Sequence, residues 1–182
     1  HIKIGYQTMG DGFDDAVTAL EIYNGEVIAA GNFNFSGTRE ISHVARWNGT
    51  EWHPLGDGLD GEVDDLHVFN GKLYASGSFD KSGDTDMAGF AEWDGSSWNN
   101  VGDFEVGWNG IKKIDSYGDE LFLAGDFQSV DGVISPYVVK WDGTNWHGLA
   151  GGAPALVVDM EVFKGNLYIC GSYFNDFFLK LK

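Results

Sequence analysis

Val139-Lys140-Trp141-Asp142-Gly143-Thr144-Asn145-Trp146 is the third appearance of one phrase in this chain. It is preceded by Ala45-Arg46-Trp47-Asn48-Gly49-Thr50-Glu51-Trp52 and by Ala91-Glu92-Trp93-Asp94-Gly95-Ser96-Ser97-Trp98. Six of the seven tryptophans fall on two fixed positions of this phrase, so the chain is an internal repeat before it is anything else.

A second phrase lies upstream of the first. Val17-Thr18-Ala19-Leu20-Glu21-Ile22-Tyr23-Asn24-Gly25 is echoed from Val63 to Gly71, from Ile111 to Asp119 and from Val157 to Gly165. Each echo is followed by an apolar run ending in glycine. Gly31, Gly77, Gly125 and Gly171 are spaced by 46, 48 and 46 residues. Asn-Gly and Asp-Gly pairs suit type I′ hairpin turns, whose central residues both need positive φ. Asn24-Gly25 and Asn70-Gly71 are therefore expected to close one hairpin. Asn48-Gly49, Asp94-Gly95 and Asp142-Gly143 are expected to close another. The runs between turns are four to eight residues long and rich in β-branched and aromatic side chains, as strands are.

Each unit thus predicts four antiparallel strands, and a lone sheet of that kind cannot bury both faces, so neighbours must stack. The expected fold is all-β, a β-propeller of four-stranded antiparallel blades in a single domain, residues 1–182. The repeats run over about 17–62, 63–110, 111–156, and 157–182 completed by 1–16. The last assignment rests on the ends. Tyr6–Gly12 matches Trp52–Gly58, the last strand of a unit, while Phe177–Lys182 matches a third strand with no fourth after it. Pairing these ends predicts four blades closed into a ring, which would leave no free sheet edge. The alternative is part of a larger ring of six to eight blades. Beginning at His1 with neither Met nor a leader, the chain reads as a mature or excised piece.

Composition agrees. Hydrophobic residues make up 43% and aromatic ones 15%, which excludes a disordered chain, and 27 glycines with three prolines suit many tight turns. A net charge of −17 repels phosphate backbones and excludes nucleic acid as the expected partner. No apolar stretch approaches 18 residues, so no membrane insertion is expected. The single cysteine, Cys170, lies in an apolar run and reads as a small buried hydrophobe.

Arg46-Trp47-Asn48-Gly49-Thr50-Glu51-Trp52, followed by Leu55-Gly56 and preceded by Asn24–Phe33, resembles the kelch/galactose-oxidase-like propeller repeats of secreted and cell-surface proteins. The resemblance spans nearly the whole chain and implies an extracellular or cell-surface location, with a role in binding, adhesion or scaffolding. It departs from that family in lacking the kelch double glycine and the copper ligands of galactose oxidase. Asp142–Trp146 also looks like the Asp-box turn of sialidases, which has one residue between Asp and Gly where this chain has none.

Catalytic patterns are absent from the sequence. There is no Gly-x-Ser-x-Gly elbow, no His-Glu-x-x-His and no phosphate-cradling loop, and the carboxylate pairs are those any acidic chain supplies. The expected function is a non-catalytic extracellular module binding protein or glycan, alone or within a larger surface assembly. The alternatives are a glycan-binding lectin and a glycan-active hydrolase or lyase.

Two sets of residues stand out. The fifth residues of the four first strands are Glu21, His67, Asp115 and Glu161. First strands line the channel of a propeller, so these four form a candidate ring for calcium or another divalent cation. The second set is candidate ligand-binding: Asp80, Asp84 and Asp86 in the loop between second and third strands, and Trp108 in an insertion that breaks the repeat. The other tryptophans recur in every unit, which points to packing. An opposing reading has Trp52, Trp98 and Trp146 offering partly exposed rings to sugars.

Overall fold

The computed structural model describes residues 5, 7–149, 151–173 and 175–181. Among them there is no helix, and every strand pairing is antiparallel. The first unit contains β1 (Val17–Tyr23), β2 (Glu26–Gly31), a short ribbon of β3 (Phe35–Ser36) and β4 (Arg39–Glu40), β5 (Val44–Trp47) and β6 (Trp52–Pro54). The second contains β7 (Val63–Phe69), β8 (Lys72–Gly77), the ribbon β9 (Lys81–Ser82) and β10 (Thr85–Asp86), β11 (Phe90–Trp93) and β12 (Trp98–Asn100). The third contains β13 (Phe104–Tyr117), β14 (Glu120–Val130), β15 (Val133–Ile134), β16 (Val138–Trp141) and β17 (Trp146–Gly148). The fourth contains β18 (Val157–Phe163), β19 (Asn166–Tyr173) and β20 (Asn175–Leu181).

The main strands form sheets ordered β1-β2-β5-β6, β7-β8-β11-β12, β13-β14-β16-β17 and β18-β19-β20. The first three follow the repeat with one shift of boundary, and the fourth has three strands among the described residues where four were expected. β13 begins at Phe104, so the strand straddles the junction drawn at 110/111 and carries Trp108 within it rather than in a loop. Its extension bulges where Phe104 and Val106 pair with β14.

The sheets stack in chain order through their first strands, β1 on β7, β7 on β13 and β13 on β18. Each seam is a separate apolar cluster. Ile28, Ala30 and Val44 of sheet 1 meet Val63 and Leu66 of sheet 2. Phe69, Tyr74 and Phe90 of sheet 2 meet Ile111 and Ile114 of sheet 3. Phe122, Ala124 and Val138 of sheet 3 meet Val157 and Met160 of sheet 4. The first and fourth residues of an inner strand are thus its anchors on the sheet before it, and burying each contributes roughly 1.5–3 kcal/mol.

The glycine that ends each second strand is required by close approach. A Cβ on Gly31, Gly77 or Gly125 would overlap the backbone carbonyl of Ala16, Glu62 or Gly110, where the linker from the preceding unit crosses. This explains the 46- to 48-residue glycine spacing without any appeal to function.

The turns behave in two ways. Asn24-Gly25, Asn70-Gly71 and Lys164-Gly165 have positive φ at both residues, as a type I′ turn needs. The Trp-Asn/Asp-Gly turns do not. Gly49, Gly95 and Gly143 have positive φ, but Asn48, Asp94 and Asp142 are absent from the left-handed residues, which corrects the I′ expectation. Here the side-chain oxygen organises the turn: Asp94 Oδ1 accepts from the N–H groups of Ser96 and Ser97, and Asp142 Oδ1 from those of Thr144 and Asn145. Asn48 Oδ1 does the same for Thr50 and Glu51. These are Asx turns, which need no left-handed first residue.

The two ends differ from the interior. The expected pairing of His1–Gly12 with Phe177–Lys182 is not among the pairings of the described residues. Gly5 and residues 7–16 form no strand, and the described partner of β20 is β19. His1–Ile4, Tyr6 and Lys182 lie outside the described residues. Residues 9–13 do take the place of a preceding unit. Trp52 Nε1 donates to Met9 O, as Trp98 donates to Leu55 O and Trp146 to Val101 O. Phe13 stacks on Phe33 at 3.9 Å.

Candidate functional site

One rim of the stack is formed by the segments that join second to third strands, namely β3–β4, β9–β10 and the β14–β15 hairpin. Carboxylates hold these segments down. Asp14 Oδ1 accepts from the N–H groups of Asn34 and Phe35, and Asp60 Oδ1 from those of Asp80 and Lys81. The hydrogen bond from Phe35 does most to hold the Asp14 carboxyl below its usual range. Much of the acidic character of the rim therefore has a structural use.

Trp108 projects from this rim and is fully exposed, at 100%. Its position is set by its neighbours. Asp126 accepts from both the backbone N–H of Asn109 (3.2 Å) and its side-chain amide (2.9 Å), which ties the β13 extension to β14. Gly110, at positive φ, brings the extension against Gly77 and Ser78, where a Cβ would not fit. Trp108, Asn109, Asp126, Tyr137 and Leu156 line a hollow of about 270 Å³. Tyr137 has positive φ (68°), unusual for an aromatic residue, and its carbonyl accepts from Gly125 N–H. The surface offers an aromatic face, an amide and a carboxylate on β13 and β14, with Tyr137 in the turn that precedes β16. Asn109, Asp126, Tyr137 and Leu156 were not singled out by sequence. The break in the repeat beside Trp108 was the only signal for them.

The three loop carboxylates stay apart in role. Asp80, Asp84 and Asp86 are all exposed. Asp86 lies 3.4 Å from Lys81 across the ribbon, and Asp80 contributes its backbone to the ribbon base.

Among the described residues no hydrogen bond or ion pair joins two members of the first-strand set. His67 Nε2 lies 2.8 Å from Ser116 Oγ. Asp115 Oδ2 accepts from Val162 N–H at 2.6 Å, and Glu21 accepts from the N–H of Ile22 beside it. Glu161 is exposed on the last inner strand. Among the described residues no three His, Cys, Asp or Glu side chains are grouped to hold a metal ion. His67 and Asp115 act as clamps from one first strand to the next. Asp65 does likewise, accepting from Ile114 N–H at 3.0 Å. Lys112 adds an ion pair to Asp64 at 2.8 Å. Burial pushes the carboxyls of Asp64 and Asp65 up, the opposite of Asp94 and Asp142.

Among the repeated tryptophans, Trp52, Trp98 and Trp146 are buried. Of the third-strand set expected in the core, Trp93 is buried while Trp47 and Trp141 are only half-buried, each packed on the deeper Trp of its own turn. The indole N–H explains the order, because the fourth-strand ring must reach a carbonyl of the preceding unit.

No family model matches this chain, and no curated protein matches it. Among solved structures, it is similar to the computationally designed Ika4 protein, with a TM-score of 0.59 and 12% identity. The match covers 98% of this chain and 100% of that one. At that identity the likeness is one of fold alone.

Proposed function

We propose that the stacked sheets are blades of a β-propeller with repeats of the kelch/galactose-oxidase type. The chain then serves as a non-catalytic extracellular module for binding, adhesion or scaffolding, and its contact surface is the rim around Trp108. The observation that carries this reading is the fully exposed indole beside a hollow lined by an amide, a carboxylate and a phenol. Exposed aromatics with fixed hydrogen-bonding neighbours are what recognition of a glycan or protein surface requires. The competing reading is a glycan-active enzyme, which generally needs two carboxylates flanking the bond to be cut. Asp126 is the one carboxylate lining the hollow, and it is engaged by Asn109. That supports binding over hydrolysis.

The test is a glycan array followed by titration of tryptophan fluorescence with the retained oligosaccharides. Trp108→Ala is expected to weaken binding at least tenfold, on the scale of one stacking aromatic, with an unchanged melting temperature. A variant that binds as well as the parent, or release of shortened sugar from the bound glycan, would overturn the proposal.

A further inference from the structure

The two ends of the stack expose opposite halves of the seam that recurs three times inside it. On sheet 4 the outer half is Phe163, Tyr168, Cys170 and Phe178, which border an open hollow of about 300 Å³. Phe163 and Tyr168 lie 94 residues after Phe69 and Tyr74, and Phe178 pairs with Cys170 as Phe90 pairs with the equivalent Ser76, so the same three residue types fill the same positions. The inner trio is buried against Ile111 and Ile114, whereas Phe178 is 72% exposed. On sheet 1 the inner half has no cover among the described residues. Val17 and Leu20 stand where Val63 and Leu66, Ile111 and Ile114, and Val157 and Met160 stand in later units. All six of those are buried, yet Val17 is 43% and Leu20 66% exposed.

We infer that these faces are the two halves of a fourth seam, and that a second copy of this chain completes it, sheet 4 of each copy docking on β1 of the other. Three observations select a second copy. First, the aromatic trio, with Phe163 and Phe178 exposed and Tyr168 half-buried, calls for a branched aliphatic pair at set positions, and Val17 and Leu20 of this same sequence present one. Second, the two halves lie at opposite ends of the row β1, β7, β13, β18, so each copy offers what the other lacks. Third, the polar clamps continue. Asp115 clamps sheet 3 to Val162 N–H of sheet 4, and Glu161, at the same repeat position on sheet 4, stands exposed at the open end. The contact is head-to-tail, and two of them close a pair. Each copy carries −17 charges, so the pair is strengthened by salt, which screens the repulsion and leaves the apolar seam intact. This inference rests on the seams and is independent of the Trp108 reading.

Sedimentation velocity across about 1–200 µM, at low and high salt, tests it. The expected result is a concentration-dependent species of two 19.9 kDa chains, favoured by salt. Leu20→Asp and Phe178→Asp, both at exposed positions, should each give folded monomers with unchanged urea midpoints. Mixing the two should restore a heterodimer, because one seam of the pair then keeps both native halves. Labelling of Cys170 by a thiol reagent should slow as the pair forms. A monomer at every concentration would overturn the inference. So would a dimer indifferent to both substitutions. Variants that lose stability without any parental association would instead show that the chain closes on itself.

Discussion

Phe69, Tyr74 and Phe90 on sheet 2 and Phe163, Tyr168 and Phe178 on sheet 4 are the same side chains at the same repeat positions, and they have opposite fates. The first trio is buried beneath sheet 3, with Tyr74 and Phe90 stacked at 5.5 Å and Phe90 edge-on to Trp146 at 5.9 Å. Of the second, Phe163 and Phe178 are exposed. The three residue types are held constant, so the difference points to what a neighbouring sheet contributes. A repeat residue acquires its energetic weight from the next unit and not from its own strand.

The sharpest way to break this comparison is to truncate both members of one pair. Phe90→Ala should cost about 3–5 kcal/mol in urea unfolding, the range for removing a fully buried ring. Phe178→Ala, measured at low micromolar concentration, should cost within about 0.5 kcal/mol. Comparable losses would mean that sheet 4 is covered in the free chain.

A smaller contrast concerns the indole hydrogen bonds. Trp98→Phe keeps most of the ring but leaves the carbonyl of Leu55 unpaired in a buried setting, with an expected cost of about 1–3 kcal/mol. Trp52→Phe frees Met9 O, which belongs to the end segment and is reached by water, and its cost should fall at the bottom of that range. Equal costs would show that residues 9–13 are as firmly held as an internal linker.

The smallest effect is electrostatic. His147 and the turn N–H groups hold the Asp142 carboxyl well below its usual range, and the N–H groups of Ser97 and Ser96 do so for Asp94. A depressed carboxyl contributes stability that is present above the unfolded pKa, near 4, and lost as pH falls toward the folded value. The urea midpoint should therefore drop between pH 5 and pH 2.5. An Asp94→Asn, Asp142→Asn double variant, whose amide oxygens accept the same bonds without titrating, should show a shallower drop. An unchanged slope would remove these turns from the acid response.

Much of the fold was legible because the repeat supplies its own controls. Glycine at 31, 77 and 125 and tryptophan at 52, 98 and 146 recur because a crossing carbonyl and a receiving carbonyl recur with them. The turn type at Asn48, Asp94 and Asp142 was misread, because Asx-Gly pairs serve two geometries and only the side-chain bonds separate them. The candidate site was half legible. A non-repeated Trp108 marked its place, but Asp126 belongs to a strand and Tyr137 to a turn whose other members are structural, so nothing in their spacing set them apart. Of the first-strand polar set, His67 and Asp115 bond to the next first strand while Glu21 bonds within its own, a difference in side-chain direction that spacing along the chain does not report.

The repeat by itself therefore determined the antiparallel sheets, their order and the four strands of the first three units, because a period of 46 to 48 residues repeats every local constraint. Tertiary structure alone decided which residues of a seam are covered. That depends on whether a further sheet is present at each end, a relation between units that no single unit encodes.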